Sequence, residues 1–242
     1  MRNKDFRSEF EYFWKRVFFD KKPTYFVRYA DGEAGLLQGK SFDATNQIDG
    51  WVSKGFNQFN LDLANALRHK EDDYFYGISC QCCDPSTKDY LLKLLLCPED
   101  QITYSNLWIN GNYNEFKSRL SSIIEPVIIV GNEQGQNKTF PFPVFDYFPI
   151  SNQVVEDWKI QRDSFISAYF KILDQQNLLN QLVLFAAGPL SEILIDFSKG
   201  SGTGIHGRFI DVGSSLDEYI FGHPTREYMI PGSYLNTKMC TL

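Results

Sequence analysis

The sequence predicts an α/β fold: a Rossmann-like, mostly parallel sheet with helices on both faces. Short apolar runs alternate with longer amphipathic segments along the 242 residues, which is the pattern of successive strand–helix units. Several of these runs are continuously apolar, most clearly Val-Ile-Ile-Val at 127–130, as expected for strands buried on both faces. We therefore expect a single α/β domain over residues 1–242.

The individual elements follow from the spacing of the apolar residues. A helix is predicted over residues 6–20, because aromatic and apolar side chains recur there on one helical face. Strands are predicted at 25–29, 74–79, 101–105, 124–130, 182–186 and 208–212. Further helices are predicted at 56–70, 86–97, 112–122, 154–173 and 190–199. The proline-rich segment 133–149 is either a linker between two halves of the chain or a loop over the site, and we favour the loop.

Composition and charge restrict the partners. The net charge is -6, which disfavours a surface for DNA or RNA. No apolar run approaches the ~20 residues that cross a bilayer, so no transmembrane segment is expected. The first five residues are not followed by the apolar stretch of a signal peptide. We therefore expect a cytoplasmic protein; the sequence does not indicate its oligomeric state.

The five cysteines are Cys80, Cys82, Cys83, Cys97 and Cys240. An odd number with a tight cluster argues against a disulfide framework and fits a reducing compartment. We interpret the cluster as buried thiols at a strand end. A zinc site is the alternative, but zinc sites use paired ligands, and the spacing lacks a second pair.

Two carboxylates follow the first predicted strand. Asp31 and Glu33 flank Gly32, where the chain is expected to turn. Hard cations take several oxygen ligands at about 2.0–2.6 Å, and two acidic side chains on one tight turn supply two of them. The pattern therefore indicates a metal site for the phosphates of a nucleotide. A solvated acidic turn is the alternative, because Asp-Gly is a common turn dipeptide.

Two other strand ends offer groups for a phosphate or a ribose, since ligands of open α/β sheets bind beyond the carboxyl ends of the strands. Gly188, Pro189 and Ser191 follow the fifth predicted strand. The glycine permits close backbone approach, and the amides of the following helix start favour a phosphate; an ordinary strand-to-helix turn explains the same residues equally well. Gly131 and Asn132 end the fourth predicted strand and leave room for a base or ribose.

The last predicted strand ends near three acids, Asp211, Asp217 and Glu218. A carboxylate at this position suits a general base. The alternative is a helix start at Ser214 or Ser215, with the later two acids in its first turn. The G-x-G-x-x-G pattern at 202–207 is rejected as a dinucleotide motif, because a helix precedes it and a strand follows it.

Taken in order, three of these strand ends resemble the GT-D class of bacterial glycosyltransferases. The Arg-Phe-Gly-Asp-Gly-Glu signature of that family, with its D-x-E metal motif, reads Arg-Tyr-Ala-Asp-Gly-Glu at 28–33. Its Leu-Gly-Pro element reads Ala-Gly-Pro at 187–189. Its Ile-Asp-Ile-Gly element, followed by Glu-Tyr, reads Ile-Asp-Val-Gly at 210–213 and Glu-Tyr at 218–219. Ala30 and Ser214 depart from the glycine and the histidine of the family.

The resemblance implies a metal-dependent glycosyltransferase that moves a sugar from a nucleoside-diphosphate donor, expected to be a UDP-sugar, to a hydroxyl of a glycan, glycoprotein or glycolipid acceptor. It implies that Asp31 and Glu33 hold Mn²⁺ or Mg²⁺. Arg28 is expected to contact the diphosphate or to hold Asp31 in place. Glu218 is the first candidate for the base, with Asp211 and Asp217 next. The donor would also contact Gly131, Asn132, Gly188, Pro189 and Ser191.

Two other functions remain open. Ala-Ala-Gly at 186–188 after an apolar strand also resembles the first motif of class I S-adenosylmethionine-dependent methyltransferases. In that interpretation Asp211 is the acidic residue at the end of the next strand, and no metal is needed. The second alternative is a non-catalytic nucleotide- or carbohydrate-binding protein of the same fold, because a fold alone does not specify a reaction.

Overall fold

The structure, a computed structural model, describes residues 2–43, 52–53, 57–174, 180–200 and 207–242. Strands and helices alternate through these ranges, as the sequence predicts. The strands are β1 (Thr24–Tyr29), β2 (Phe42–Asp43), β3 (Val52–Ser53), β4 (Tyr74–Ile78), β5 (Ile102–Tyr104), β6 (Val127–Asn132), β7 (Val144–Ile150), β8 (Leu182–Ala186) and β9 (Arg208–Asp211).

Seven of these strands form one sheet in the order β5-β4-β1-β9-β8-β6-β7. Every neighbouring pair in this sheet is parallel, whereas β2 and β3 form a separate antiparallel pair. The α/β class is therefore confirmed, with a sheet that is entirely parallel. The order also brings the first strand and the last strand of the sheet together near its centre, where the carboxyl ends of β1 and β9 are neighbours.

The helices connect the strands. They are α1 (Phe6–Trp14), α2 (Asp31–Leu37), α3 (Gln58–Asn65), α4 (Pro85–Leu94), α5 (Tyr113–Arg119), α6 (Val154–Asp174), α7 (Leu190–Gly200), α8 (Asp217–Phe221) and α9 (Tyr234–Thr237). The helix predicted over 6–20 consists of α1 and a π-helical turn, Lys15–Phe19. In the described part of the chain, no helix has both the length and the apolar character needed to span a membrane.

Two apolar cores cover the two faces of the sheet. Side chains of a strand point alternately to opposite faces, and in β1 Tyr25, Val27 and Tyr29 join one core while Phe26 joins the other. The first core takes in buried residues of α3, α6 and α7, and the second those of α1 and α5. Helices therefore pack on both faces, and only the ends of the strands remain for a ligand.

The prediction of a loop over 133–149 is wrong from Val144 onward. Residues from Val144 onward form β7, which pairs with β6 and is the last strand of the sheet. An edge strand needs hydrogen bonds on one side only, so it tolerates Pro149. Its first residues, Val144 and Phe145, are exposed, and this weakens the apolar signal of a buried strand.

Candidate functional site

A cavity of about 270 Å³ lies at the carboxyl ends of five neighbouring strands, β1, β9, β8, β6 and β7. This is the edge of the sheet where open α/β folds bind their ligands. The volume is near the lower limit of small-molecule sites, which hold roughly 300–1,000 Å³. The charged side chains that line the cavity are Arg28, Asp31, Glu33, Asp211, Asp217 and Arg226.

Most of the residues predicted for the site line this one cavity. They come from four different strand ends, so the fold brings together groups that are far apart in the sequence. The predicted residues in the lining are Arg28, Asp31, Glu33, Asn132, Gly188, Pro189, Asp211 and Asp217. Gly131, Ser191 and Glu218 are not among the lining residues.

Gly131 and Ser191 support the walls of the cavity. A Cβ atom on Gly131 would lie 2.9 Å from the hydroxyl oxygen of Tyr147, and that hydroxyl donates a hydrogen bond of 2.6 Å to the carbonyl of Asn132. The glycine therefore makes room for a tyrosine of β7. Ser191 is buried, and its hydroxyl oxygen accepts a hydrogen bond of 3.4 Å from the amide of Ala187, which stabilises the turn into α7.

Glu218 faces a different part of the molecule. Its carboxylate accepts a hydrogen bond of 2.9 Å from the hydroxyl of Tyr113 and forms an ion pair with Lys117. Both partners belong to α5. The neighbouring acid, Asp217, lines the cavity instead; its Oδ2 atom accepts a hydrogen bond of 2.6 Å from the hydroxyl of Thr225.

Asp31 and Glu33 lie in the first turn of α2, so the predicted turn at Gly32 is wrong. The helix begins at Asp31, and the carboxylate of Glu33 accepts a hydrogen bond of 2.8 Å from the amide of Ala30. This contact satisfies a backbone donor that a helix start leaves unpaired. Acidic side chains also interact favourably with the positive end of the helix dipole. Both effects make the helix more stable than an open turn.

The environment of Glu33 disfavours its negative charge. Burial of the carboxyl group raises the pKa of Glu33 to about 7, although the amide of Ala30 and the charge of Arg28 act in the opposite direction. Asp31, two residues earlier, is exposed. The charged form of a buried carboxyl group is costly unless a cation lies close to it.

Arg28 is held just below the surface of the cavity. Its side chain is 15% exposed, and its Nε atom lies 3.7 Å from Oδ2 of Asp211. Nε and Nη1 are buried and have no hydrogen-bond partner among the described residues. A guanidinium group has five N–H donors, and leaving buried donors unpaired costs free energy. Because it also lines the cavity, Arg28 is a candidate for binding an acceptor group there.

Gly213 allows Arg28 to occupy this position. The φ angle of Gly213 is +52°, and a Cβ atom there would lie 1.8 Å from Nη1 of Arg28. The left-handed backbone conformation also disfavours residues other than glycine. The amide of Gly213 donates a hydrogen bond of 2.8 Å to Asp211, so this one residue fixes both members of the Arg28–Asp211 pair.

Glu192 is a buried acid in contact with a residue of the cavity, and the sequence analysis did not reveal it. Its Oε1 atom accepts a hydrogen bond of 3.2 Å from the amide of Arg28. Burial and the nearby carboxyl group of Asp211 raise the pKa of Glu192 well above its usual value. Burial also raises the pKa of Asp211, against the opposing charge of Arg28. An acid in the first turn of a helix is common, so nothing in the sequence distinguishes Glu192.

Asn152 and Arg226 also line the cavity, and the sequence analysis missed them. Asn132 donates a hydrogen bond of 2.7 Å from Nδ2 to Oδ1 of Asn152, which links the ends of β6 and β7. Asn152 follows the end of β7, so the prediction of a strand there would have pointed to it. Arg226 lies beyond α8 and is the second arginine in the lining of the cavity. No sequence motif surrounds it, so the sequence gives no reason to select it. The glycine-rich pattern at 202–207 falls, up to residue 206, outside the described residues.

The carboxyl groups of Asp31 and Glu33 are the predicted ligands for a cation in the cavity. Among the described residues, three or more possible metal ligands come within 4.8 Å of one another at one place. That group consists of cysteines and lies outside the cavity. Asp31 and Glu33 both line the cavity and can offer a cation two carboxyl groups there. Mg²⁺ is usually bound through one or two carboxylates together with substrate phosphates and water, so this donor set fits such an ion.

Comparison with known proteins identifies the fold. No family model and no curated protein sequence matches this chain. A selenomethionine-substituted structure of the domain of unknown function 1792 (DUF1792) is similar, with a TM-score of 0.59 and 14% identity over 92% of this chain and 82% of that chain. A second structure, of a highly conserved domain of unknown function 1792 described as having a distinct glycosyltransferase fold, gives a TM-score of 0.57 and 15% identity over the same shares. This chain therefore has the fold of the DUF1792 domain, a glycosyltransferase fold.

Proposed function

We propose that this protein is a metal-dependent glycosyltransferase. Its donor is a nucleoside-diphosphate sugar, with a UDP-sugar as the expected form, and its acceptor is a hydroxyl of a glycan, glycoprotein or glycolipid. The fold supports the class of enzyme. The site supports the donor class, because an arginine and two carboxyl groups, which suit phosphate and a cation, line one cavity.

The proposal rests mainly on the unpaired nitrogens of the Arg28 guanidinium group. Two of its nitrogens are buried without hydrogen-bond partners in the described part of the chain, and it lines the cavity beside Asp31 and Glu33. Arginine suits phosphate oxygens because its planar donors form paired, charge-assisted hydrogen bonds. A diphosphate in the cavity offers acceptors of the kind that the guanidinium group lacks within the described part of the chain.

Asp31 and Glu33 are the proposed ligands of Mn²⁺ or Mg²⁺. Such an ion, when bound, offsets the negative charge that builds up on the diphosphate as the bond to the sugar breaks. The chain contributes to the same stabilisation directly, since Arg28 donates to the phosphate from a fixed position. Asp211 fixes that position, because its carboxylate lies beside the guanidinium group and is itself held by the amide of Gly213.

The remaining walls are proposed to bind the rest of the donor. Gly188, with φ of +54°, keeps the backbone before α7 free of a side chain, so that a sugar or phosphate can approach Pro189 closely. Asn132 and Asn152 lie side by side at the ends of β6 and β7, where their amides can bind hydroxyl groups. Arg226 provides a second positive charge for the diphosphate.

We propose Asp217 as the base that takes the proton of the acceptor hydroxyl, in preference to Glu218. Asp217 lines the cavity, whereas Glu218 is held by Tyr113 and Lys117. Asp217→Asn is expected to lower kcat by about 10²–10⁴-fold and to leave donor affinity nearly unchanged. Glu218→Gln is the matched variant and is expected to keep most of the activity. The opposite ranking in a transfer assay would assign the role to Glu218.

A thermal-shift panel tests the proposed donor without knowledge of the acceptor. The panel contains nucleotide sugars and S-adenosylmethionine, each with and without Mn²⁺. A ligand that binds only the folded protein raises Tm, by about 5–10 °C at a hundredfold excess over Kd for a chain of this size. We expect a metal-dependent shift with one nucleoside-diphosphate sugar. A metal-independent shift with S-adenosylmethionine alone would instead favour the methyltransferase. A nucleotide sugar that binds but keeps its sugar during long incubation would favour the non-catalytic binding protein.

A further inference from the structure

Four of the five cysteines meet at one place, away from the cavity. Cys80, Cys82 and Cys83 lie in the turn after β4, and Cys240 lies in the segment after α9. Cys80 and Cys240 are buried, while Cys82 and Cys83 are exposed. The interpretation of the cluster as buried thiols is therefore wrong for two of its members. The missing partner in the sequence was Cys240, 157 residues beyond Cys83.

The spacing of the four sulfur atoms matches a tetrahedral metal site. The Sγ atoms of Cys80 and Cys82 are 3.5 Å apart, those of Cys82 and Cys83 are 4.0 Å apart, and those of Cys83 and Cys240 are 4.0 Å apart. All four Sγ atoms lie within 4.8 Å of one another. Four sulfurs bound at about 2.3 Å to a tetrahedral zinc ion are roughly 3.8 Å apart. The side chains therefore need only small adjustments to bind one ion.

Side-chain amides donate hydrogen bonds to the same sulfur atoms. Nδ2 of Asn106, a buried residue, lies 3.0 Å from Sγ of Cys240, 3.6 Å from that of Cys80 and 3.7 Å from that of Cys83. Nδ2 of Asn110 lies 3.4 Å from Sγ of Cys240. Donors of this kind orient metal ligands and stabilise thiolates. Their convergence on the sulfurs is an observation independent of the sulfur spacing.

Backbone hydrogen bonds hold the fourth cysteine in place. The amide of Gln81 donates to the carbonyl of Thr241 at 2.9 Å, and the amide of Gly111 donates to the carbonyl of Lys238 at 3.0 Å. The ammonium group of Lys238 donates to the carbonyl of Cys82 at 3.2 Å, which places a positive charge beside the cluster. The segment with Cys240 is thus positioned by contacts that do not involve sulfur.

We propose that Cys80, Cys82, Cys83 and Cys240 bind one Zn²⁺ ion as four thiolates. The ion forms four Zn–S bonds and displaces the four thiol protons to solvent, and no electrons are transferred. Four protein ligands leave no open position for substrate, which is typical of a structural zinc site. The ion ties the segment after α9 to the end of β4, beside the sheet edge that carries the cavity.

Metal analysis of the full-length protein, purified without a metal-affinity tag or chelator, tests the proposal. We expect one zinc ion per chain, and four thiols that react with a thiol reagent only after the zinc is removed. Cys80→Ser and Cys240→Ser are expected to lose the zinc. Cys97→Ser is the matched control, because Cys97 is outside the cluster, and it is expected to keep it. Co²⁺ added to the metal-free protein is expected to give the visible bands of a tetrahedral cobalt–thiolate site.

Three results would overturn the proposal. The first is a protein without zinc whose cluster thiols all react freely and which gives no tetrahedral cobalt spectrum. The second is a disulfide between cluster cysteines in protein purified anaerobically. The third is zinc that remains bound at the same stoichiometry in a folded Cys80→Ser, Cys240→Ser double variant. Far-UV circular dichroism of the variants separates loss of the ion from loss of the fold.

Discussion

Asp31→Asn is expected to abolish the metal-dependent binding of a nucleoside-diphosphate sugar and the transfer that depends on it. The substitution keeps the size of the side chain and removes the charge that a hard cation needs. Loss of a residue that only supports a metal ligand costs 10–100-fold in affinity or activity, so we expect the loss of a ligand to cost at least about 100-fold. Titration of Mn²⁺ in the presence of donor measures the effect.

The fold should survive this change. Asp31 is exposed in the first turn of α2, where a charge contributes less than about 1 kcal/mol through the helix dipole. Asp157→Asn is the matched control, because Asp157 lies in the first turn of α6 and outside the cavity. An Asp31→Asn protein that binds donor and Mn²⁺ as tightly as the control does would show that Asp31 is not a metal ligand.

Arg28→Lys is expected to weaken the binding of nucleoside diphosphate by about tenfold to a hundredfold. A hydrogen bond to a charged group contributes about 1.5–3 kcal/mol, and 1.4 kcal/mol corresponds to a factor of ten. Lysine keeps a positive charge near Asp211 but loses the planar set of donors. Isothermal titration with the diphosphate measures the change. Arg162→Lys, at an arginine that pairs with Asp62 away from the cavity, is expected to leave the affinity unchanged.

Gly213→Ala tests the position of Arg28 without changing the arginine. The added Cβ atom would overlap Nη1 of Arg28, so the guanidinium group has to move. We expect diphosphate affinity to fall as in Arg28→Lys, together with a loss of stability from the left-handed backbone conformation of about 1–2 kcal/mol. A Gly213→Ala protein with unchanged affinity would mean that Arg28 does not contact the phosphate.

The strands that the sequence identified are those buried on both faces. β6 and β8 are continuous apolar runs, and such runs are visible without any tertiary information. β7 was missed because it lies at the edge, where exposed residues and Pro149 disrupt the pattern. α2 was missed for a different reason: Asp-Gly favours a turn locally, and the hydrogen bond between Glu33 and Ala30 that supports a helix is not visible in the pattern.

The position of the cavity could be predicted from the sequence because parallel strands end at the same edge of a sheet. The direction of each side chain could not be inferred. Asp217 and Glu218 are adjacent, and only the packing of Tyr113 and Lys117 from α5 decides that Glu218 turns away from the cavity. Contacts between residues far apart in the sequence leave no local pattern. The sequence therefore did not predict that Cys240 belongs to the cysteine cluster.

The most direct test of the proposed site is a crystal structure with Mn²⁺ and a nucleoside-diphosphate sugar, with anomalous scattering data to locate the manganese. We expect the manganese peak at the carboxylates of Asp31 and Glu33 and the diphosphate within hydrogen-bond distance of the Arg28 guanidinium group. A manganese peak elsewhere, with the nucleotide bound outside the cavity at the ends of β1 and β9, would contradict the proposed metal site and the proposed donor site together.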